Sequence, residues 1–92
     1  MDDKKYQWDI VQQADELAEK YRELMNELRR VSEGSIDIEV LKAAEEKAYW
    51  SATSAHSVCA QISSYGESIK DIESSIKRKV VGLQGKEEKA NA

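Results

Sequence analysis

The chain has 92 residues, 40% of them hydrophobic and 35% charged, with four glycines, one cysteine and neither proline nor phenylalanine. That composition excludes a disordered acidic tail, a disulfide scaffold and a proline-built β-sandwich, and it leaves a single all-helical domain. Eighteen acidic against 14 basic residues give a formal net charge of −4, which disfavours general attraction to a phosphate backbone, so no DNA partner is expected.

Apolar residues at Ile10, Ala14, Leu17, Tyr21, Leu24, Leu28 and Val31 alternate in steps of four and three, which keeps one face of a helix apolar. Val11, Ala18 and Met25 widen that stripe beyond a two-stranded seam. The first predicted helix spans about 3–32, with Asp2 or Asp3 as its cap and with Tyr6 and Trp8 ahead of the regular pattern. A turn over 33–36 follows, where Gly34 offers the left-handed conformation that commonly ends a helix. Ser35 or Asp37 can then cap a second helix, and Asp37 and Glu39 are favoured by its positive end.

The second helix is predicted over about 37–82. Its seam reads Leu41, Ala44, Ala48, Ser51, Ala55, Val58, Ile62, Tyr65, Ile69, Ile72 and Ile76. The small first half lets backbones approach closely, whereas the isoleucine-rich second half is expected to pack at wider spacing. Ser63, Ser64 and Gly66 are weak helix formers, and Gly66 alone costs about 1 kcal/mol relative to alanine, so the helix can bend or break near it. The tail over 85–92 has no apolar anchor and is expected to be disordered.

Helices of roughly 30 and 45 residues span about 45 and 65 Å, so they cannot cover each other. If the chain folds back at Gly34 as a long helical hairpin with heptad seams, Ile69, Ile72, Ile76 and Val80 extend beyond helix one and need a second chain. The expected architecture is therefore a homo-oligomeric helical bundle. The other closure is a break at Gly66 that folds the last segment back into a three-helix bundle.

No apolar run approaches the roughly 20 residues that span a bilayer, and Met1-Asp2-Asp3-Lys4-Lys5 leads into polar residues rather than a signal peptide. No membrane partner is expected, and the expected location is cytoplasmic. With no glycine-rich phosphate loop, nucleophile elbow or metal motif, neither enzymatic activity nor a cofactor is expected. His56 and Cys59, three apart, are the one pair that could activate a thiol, but a lone histidine and a small cysteine on a half-buried helix read more simply as packing residues. Asp15, Glu16, Glu19, Glu23 and Glu27 read as a solvated face.

Lys77-Arg78-Lys79 form a basic cluster that the dipole of a helix C-terminus favours. Arg29 and Arg30, in the last turn of helix one, have the same reading or hold a small anion. Tyr49 and Trp50 are not explained by the seam. Trp50 falls on a second stripe with Val40, Ala43, Lys47, Ser54 and Ser57. It is expected to be buried against another subunit, or else to form an aromatic platform for a ligand base with Lys47 and Ser54 or Ser57 as polar partners. Tyr6 and Trp8 carry the same two readings.

The stretch Leu41-Lys42-Ala43-Ala44-Glu45-Glu46-Lys47-Ala48-Tyr49-Trp50-Ser51-Ala52, behind a shorter amphipathic helix and a tight turn, resembles the helical-hairpin family of phage proteins that sequester nucleotide immune signals. That family's second helix carries a similar pattern of leucine, a Glu-Glu pair, an aromatic and tryptophan followed by small residues, and the likeness covers roughly residues 10–60. The resemblance implies a homo-oligomer that binds a cyclic di- or trinucleotide or a cyclic ADP-ribose-type signal at subunit interfaces without cleaving it, countering antiphage signalling of the CBASS or Thoeris type. On that reading Tyr6, Trp8, Tyr49 and Trp50 supply faces for bases, and Arg29, Arg30 and Lys47 supply cations for phosphates. The long helix beyond Val58 departs from the compact hairpin. The alternative function is that of a structural or adaptor hairpin acting solely through helix-to-helix association.

Overall fold

A computed structural model describes the backbone of residues 3–91 and the side chains of residues 4–86. Three helices follow one another, α1 (Asp3–Gly34), α2 (Ile38–Val58) and α3 (Ala60–Asn91), with no strand among the described residues. Helix α1 begins at Asp3, and Asp2 lies outside the described residues.

The first reversal is built by side chains rather than by a left-handed glycine. Gly34 has no positive φ, and the Ser35 amide still donates to the Val31 carbonyl at 2.9 Å, so the helical pattern runs into the turn. Asp37 is extended (φ −86°, ψ 115°). Its carboxylate accepts from the amides of Glu39 at 2.9 Å and Val40 at 3.4 Å, satisfying two of the free donors at the start of α2. The Ser35 hydroxyl accepts from the Asp37 amide at 3.2 Å, so the two candidate caps act in series.

The second reversal departs from the predicted helix over 37–82. Helix α2 stops at Val58, Cys59 alone is extended (φ −163°, ψ 165°), and α3 starts at Ala60 and returns antiparallel to α2. The Cys59 carbonyl accepts from the Ser63 amide at 3.0 Å, so one residue closes α2 and opens α3. Gly66 is not the break. It lies buried inside α3, where a Cβ would come within 2.8 Å of His56 Cδ2 and 2.9 Å of the Ala52 carbonyl oxygen, and its missing side chain lets α3 approach α2 closely.

The small half and the isoleucine half of the seam are thus two sides of one interface. Leu41, Ala48, Ala52 and Ala55 are fully buried in α2, and Ile62, Ile69 and Ile76 are fully buried in α3, with Ile72 and Val80 nearly so. Isoleucines fill the space that alanines leave, as close packing demands. The isoleucine segment is covered within its own chain and needs no second copy, which corrects the hairpin expectation. Helix α1 closes the third side: Ala18 and Leu28 are buried, and Leu17, Tyr21, Leu24 and Met25 pack against the core.

Helices α1 and α3 run parallel. Arg22 Nη2 donates to the Tyr65 hydroxyl at 2.7 Å, and Lys79 Nζ donates to the carbonyls of Ser32 at 2.7 Å and Glu33 at 3.3 Å. Because Ala18 shares a cluster with Ala55 and Ile62 beside the α2–α3 turn, the residues before Leu17 run past that turn, an overhang of about 14 residues or about 21 Å. At the opposite end α3 continues beyond Lys79 through Asn91, so the tail expected to be disordered from 85 prolongs the helix, with Ala92 outside the described residues. The staggered helices make a rod of 71 × 18 × 15 Å. No helix among the described residues is long and apolar enough to cross a membrane.

Candidate functional site

The outer face of α2 carries Val40, Ala43, Lys47, Trp50 and Ser54, all exposed. Trp50 is 60% exposed and Tyr49 48%, their rings set edge to face with centroids 5.2 Å apart and planes at 83°. Among the described residues none covers the greater part of Trp50, so the burial expected of it is not supplied within one copy. Ala43, Glu46, Lys47 and Trp50 line one shallow groove; Lys42, Glu45, Glu46, Tyr49, Glu73 and Lys77 line its neighbour. In the second groove Lys77 Nζ lies 3.4 Å from the buried Glu73 and 3.7 Å from Glu45. The carboxylates of Glu45, Glu46 and Glu73 match the charges of Lys42, Lys47 and Lys77, so this face offers no excess positive potential to a phosphate.

Arg29 and Arg30 precede the last turn of α1 and line neither groove. The Arg30 guanidinium pairs with Glu27 at 3.4 Å in solvent. The Lys77-Arg78-Lys79 cluster lies mid-way along α3 rather than at its end, and the dipole it serves belongs to another helix. Lys79 satisfies two of the free carbonyls at the C-terminus of α1.

Tyr6 and Trp8 stand on the overhang of α1, 66% and 70% exposed, with Ile10 at 46% and Val11 at 50% beside them. Trp8 and Arg30, 22 residues apart on one straight helix, are separated by about 33 Å. The seven candidate binding residues therefore fall in three places: the N-terminal end of α1, the C-terminal end of α1 and the outer face of α2. One chain does not gather them into a pocket.

His56 pairs across the break rather than with Cys59. Its Nδ1 lies 3.1 Å from Ser63 Oγ and its ring overlies Gly66, while the Cys59 thiol is half-buried at the turn. Arg22, whose guanidinium sits 5.7 Å from the Tyr65 ring centroid, is raised above its ordinary pKa chiefly by the bond it donates to that hydroxyl, and it ties α1 to α3 as a permanent cation. Among the described residues no group of three His, Cys, Asp or Glu side chains is placed to hold a metal.

Two features were not anticipated from the pattern of residues. The Lys79 contact depends on residues 46 and 47 positions away and has no local signal. The groove lined by Lys4, Gln7, Trp8 and Val11 has one, since Lys4, Trp8 and Val11 are spaced four and three apart. Compared with known protein families, curated proteins and solved structures, the chain matches none.

Proposed function

We propose that this chain is a non-catalytic helix-association module, a rod that presents the N-terminal part of α1, with its exposed Tyr6, Trp8, Ile10 and Val11, to another helix. The observation that carries this reading is the overhang, where Tyr6 and Ile10 on one side of α1 and Trp8 and Val11 on another are exposed, and no other described helix runs beside them. Grouped apolar side chains of this size mark interaction surfaces, and each aromatic buries about 150–250 Å² when covered. A single helix forms this surface, and the groove on it is open to solvent. A small-molecule site encloses about 70–90% of its ligand, which a single helix face cannot do, whereas a second helix can lie along it.

The test is a photo-crosslinking amino acid placed at Val11 or, as a control, at Glu23 on the exposed face of the packed part of α1. A discrete adduct from position 11 and none from position 23, in cells producing the full chain, is the expected result. Equal labelling at both positions, or none at either, overturns the reading.

Sequestration of a cyclic nucleotide signal is the second reading, and the exposed Tyr49–Trp50 pair beside Lys47 favours it, since a tryptophan face next to a cation suits a stacked base. The ligand would need a second copy to enclose it. Cyclic dinucleotides, cyclic trinucleotides and cyclic ADP-ribose isomers are then expected to raise the melting temperature by mass action, an effect lost in Trp50→Ala. A flat response to all of them removes this reading.

A further inference from the structure

Lys4, Trp8, Val11 and Asp15 follow one another at intervals of four, three and four residues, which places them on one stripe of the α1 overhang. All four are exposed, and the first three line a common groove. The stripe reads cation, aromatic, aliphatic, anion, and a stripe of that order is complementary to its own reverse. Laid antiparallel on a second copy, Lys4 meets the partner's Asp15, Trp8 meets the partner's Val11, and both contacts repeat by two-fold symmetry. Tyr6 and Ile10 lie outside this contact, because steps of about 100° per residue place them roughly 130–170° round the helix from the stripe. Tyr6, Ile10 and Ala14 continue the side of α1 that faces the core from Leu17 onward.

We infer that the chain forms an antiparallel two-fold dimer through residues 3–16 of α1. This rests on the association role proposed above and names the associating helix as a second copy of α1. The lengths agree: each overhang extends about 21 Å past its own α2–α3 turn, so two overhangs cover each other along their whole length. Each N-terminus then reaches the turn of the other copy.

The exposed parts of Trp8 and Val11 from two copies, with the stems of their polar neighbours, amount to roughly 500 Å², below the size of standard specific interfaces. The dimer is therefore expected to be reversible and dependent on concentration. The two Lys4–Asp15 pairs add little affinity in solvent, but they set direction and register. A parallel arrangement would oppose Lys4 to Lys4 and Asp15 to Asp15.

The test uses the full chain with Cys59→Ser, so that an introduced thiol is the sole one, and with Lys4→Cys and Asp15→Cys made separately. Each variant is oxidised alone and as an equal mixture, beside sedimentation velocity of the unmodified protein. The expected result is a disulfide heterodimer in the mixture, no dimer from either variant alone, and loss of the heterodimer when both carry Trp8→Glu. Trp8 is 70% exposed and belongs to neither core cluster, and unchanged helicity would confirm that the fold survives. Crosslinking of Lys4→Cys with itself as readily as in the mixture overturns the inference, and so does a monomer at the concentrations used. If the unmodified protein is monomeric while the adduct from position 11 persists in cells, the dimer fails and the association role stands with another partner. If both results are negative, both fail.

Discussion

A glycine in the middle of a helix costs about 1 kcal/mol relative to alanine, and by that measure Gly66→Ala stabilises α3. Its Cβ, however, would lie 2.9 Å from the Ala52 carbonyl oxygen. The exposed His56 ring on the other side can swing away, but a backbone carbonyl of α2 moves only if α2 moves. Overpacking of this kind costs about 1–3 kcal/mol, and it outweighs the gain in helix propensity. Gly66→Ala is therefore expected to lower the midpoint of urea unfolding, while Gly82→Ala, with nothing within 4 Å of its added Cβ, raises it. A higher midpoint for Gly66→Ala would show that the two helices are not held at this distance. Trp50 stands at the other extreme of burial: with 60% of its surface exposed, it adds little to the stability of a single copy, and the large cost of removing a core tryptophan does not apply to it within one chain.

The three helices are not held equally. Helices α2 and α3 share the fully buried interface of alanines and isoleucines, and few residues link them. Helix α1 rests on them through two buried residues, Ala18 and Leu28, a row of half-buried ones, the Arg22–Tyr65 bond and the Lys79 cap. Elements with fewer buried contacts open at lower free energy. Amide hydrogen exchange is accordingly expected to be fastest in residues 4–16, intermediate in the rest of α1 and slowest in α2 and α3 around Ala52 and Ile69. Uniform protection along the chain would contradict this ranking. The helical class, the turn after Gly34 and most inward positions from Leu41 to Val80 were legible from residue spacing, because a 3.6-residue period is a local property; Val58, placed in that seam, is exposed at the end of α2, and Ala52, outside it, is fully buried. The break at Cys59 was not. No glycine or proline marks it, and the three-four rhythm runs through Val58 to Ile62 without a flaw, so what selects the break is the burial of Ile62 to Val80 against Ala48 to Ala55. Of the candidate site, the aromatics outside the seam, Tyr6, Trp8, Tyr49 and Trp50, were visible as residues in need of a role. Their separation into different places depends on the stagger of α1 against α3, and the stagger follows from where the second helix breaks.

Across the whole molecule that stagger produces two unlike ends. At one end α1 runs on alone, carrying Tyr6, Trp8, Ile10 and Val11 among charged and amide side chains; at the other α3 runs on past Lys79. The proposed dimer would join two rods at the first kind of end and leave the second kind at the outer tips. Since α1 and α3 point the same way, the start of α1 and the end of α3 lie at opposite extremes of a 71 Å body. A load applied between the start of α1 and the end of α3 would therefore run along the long axis and slide α1 against α3, straining the Arg22–Tyr65 and Lys79–Ser32 links together rather than one after the other. Whatever the start of α1 holds is kept a rod's length from whatever the end of α3 holds.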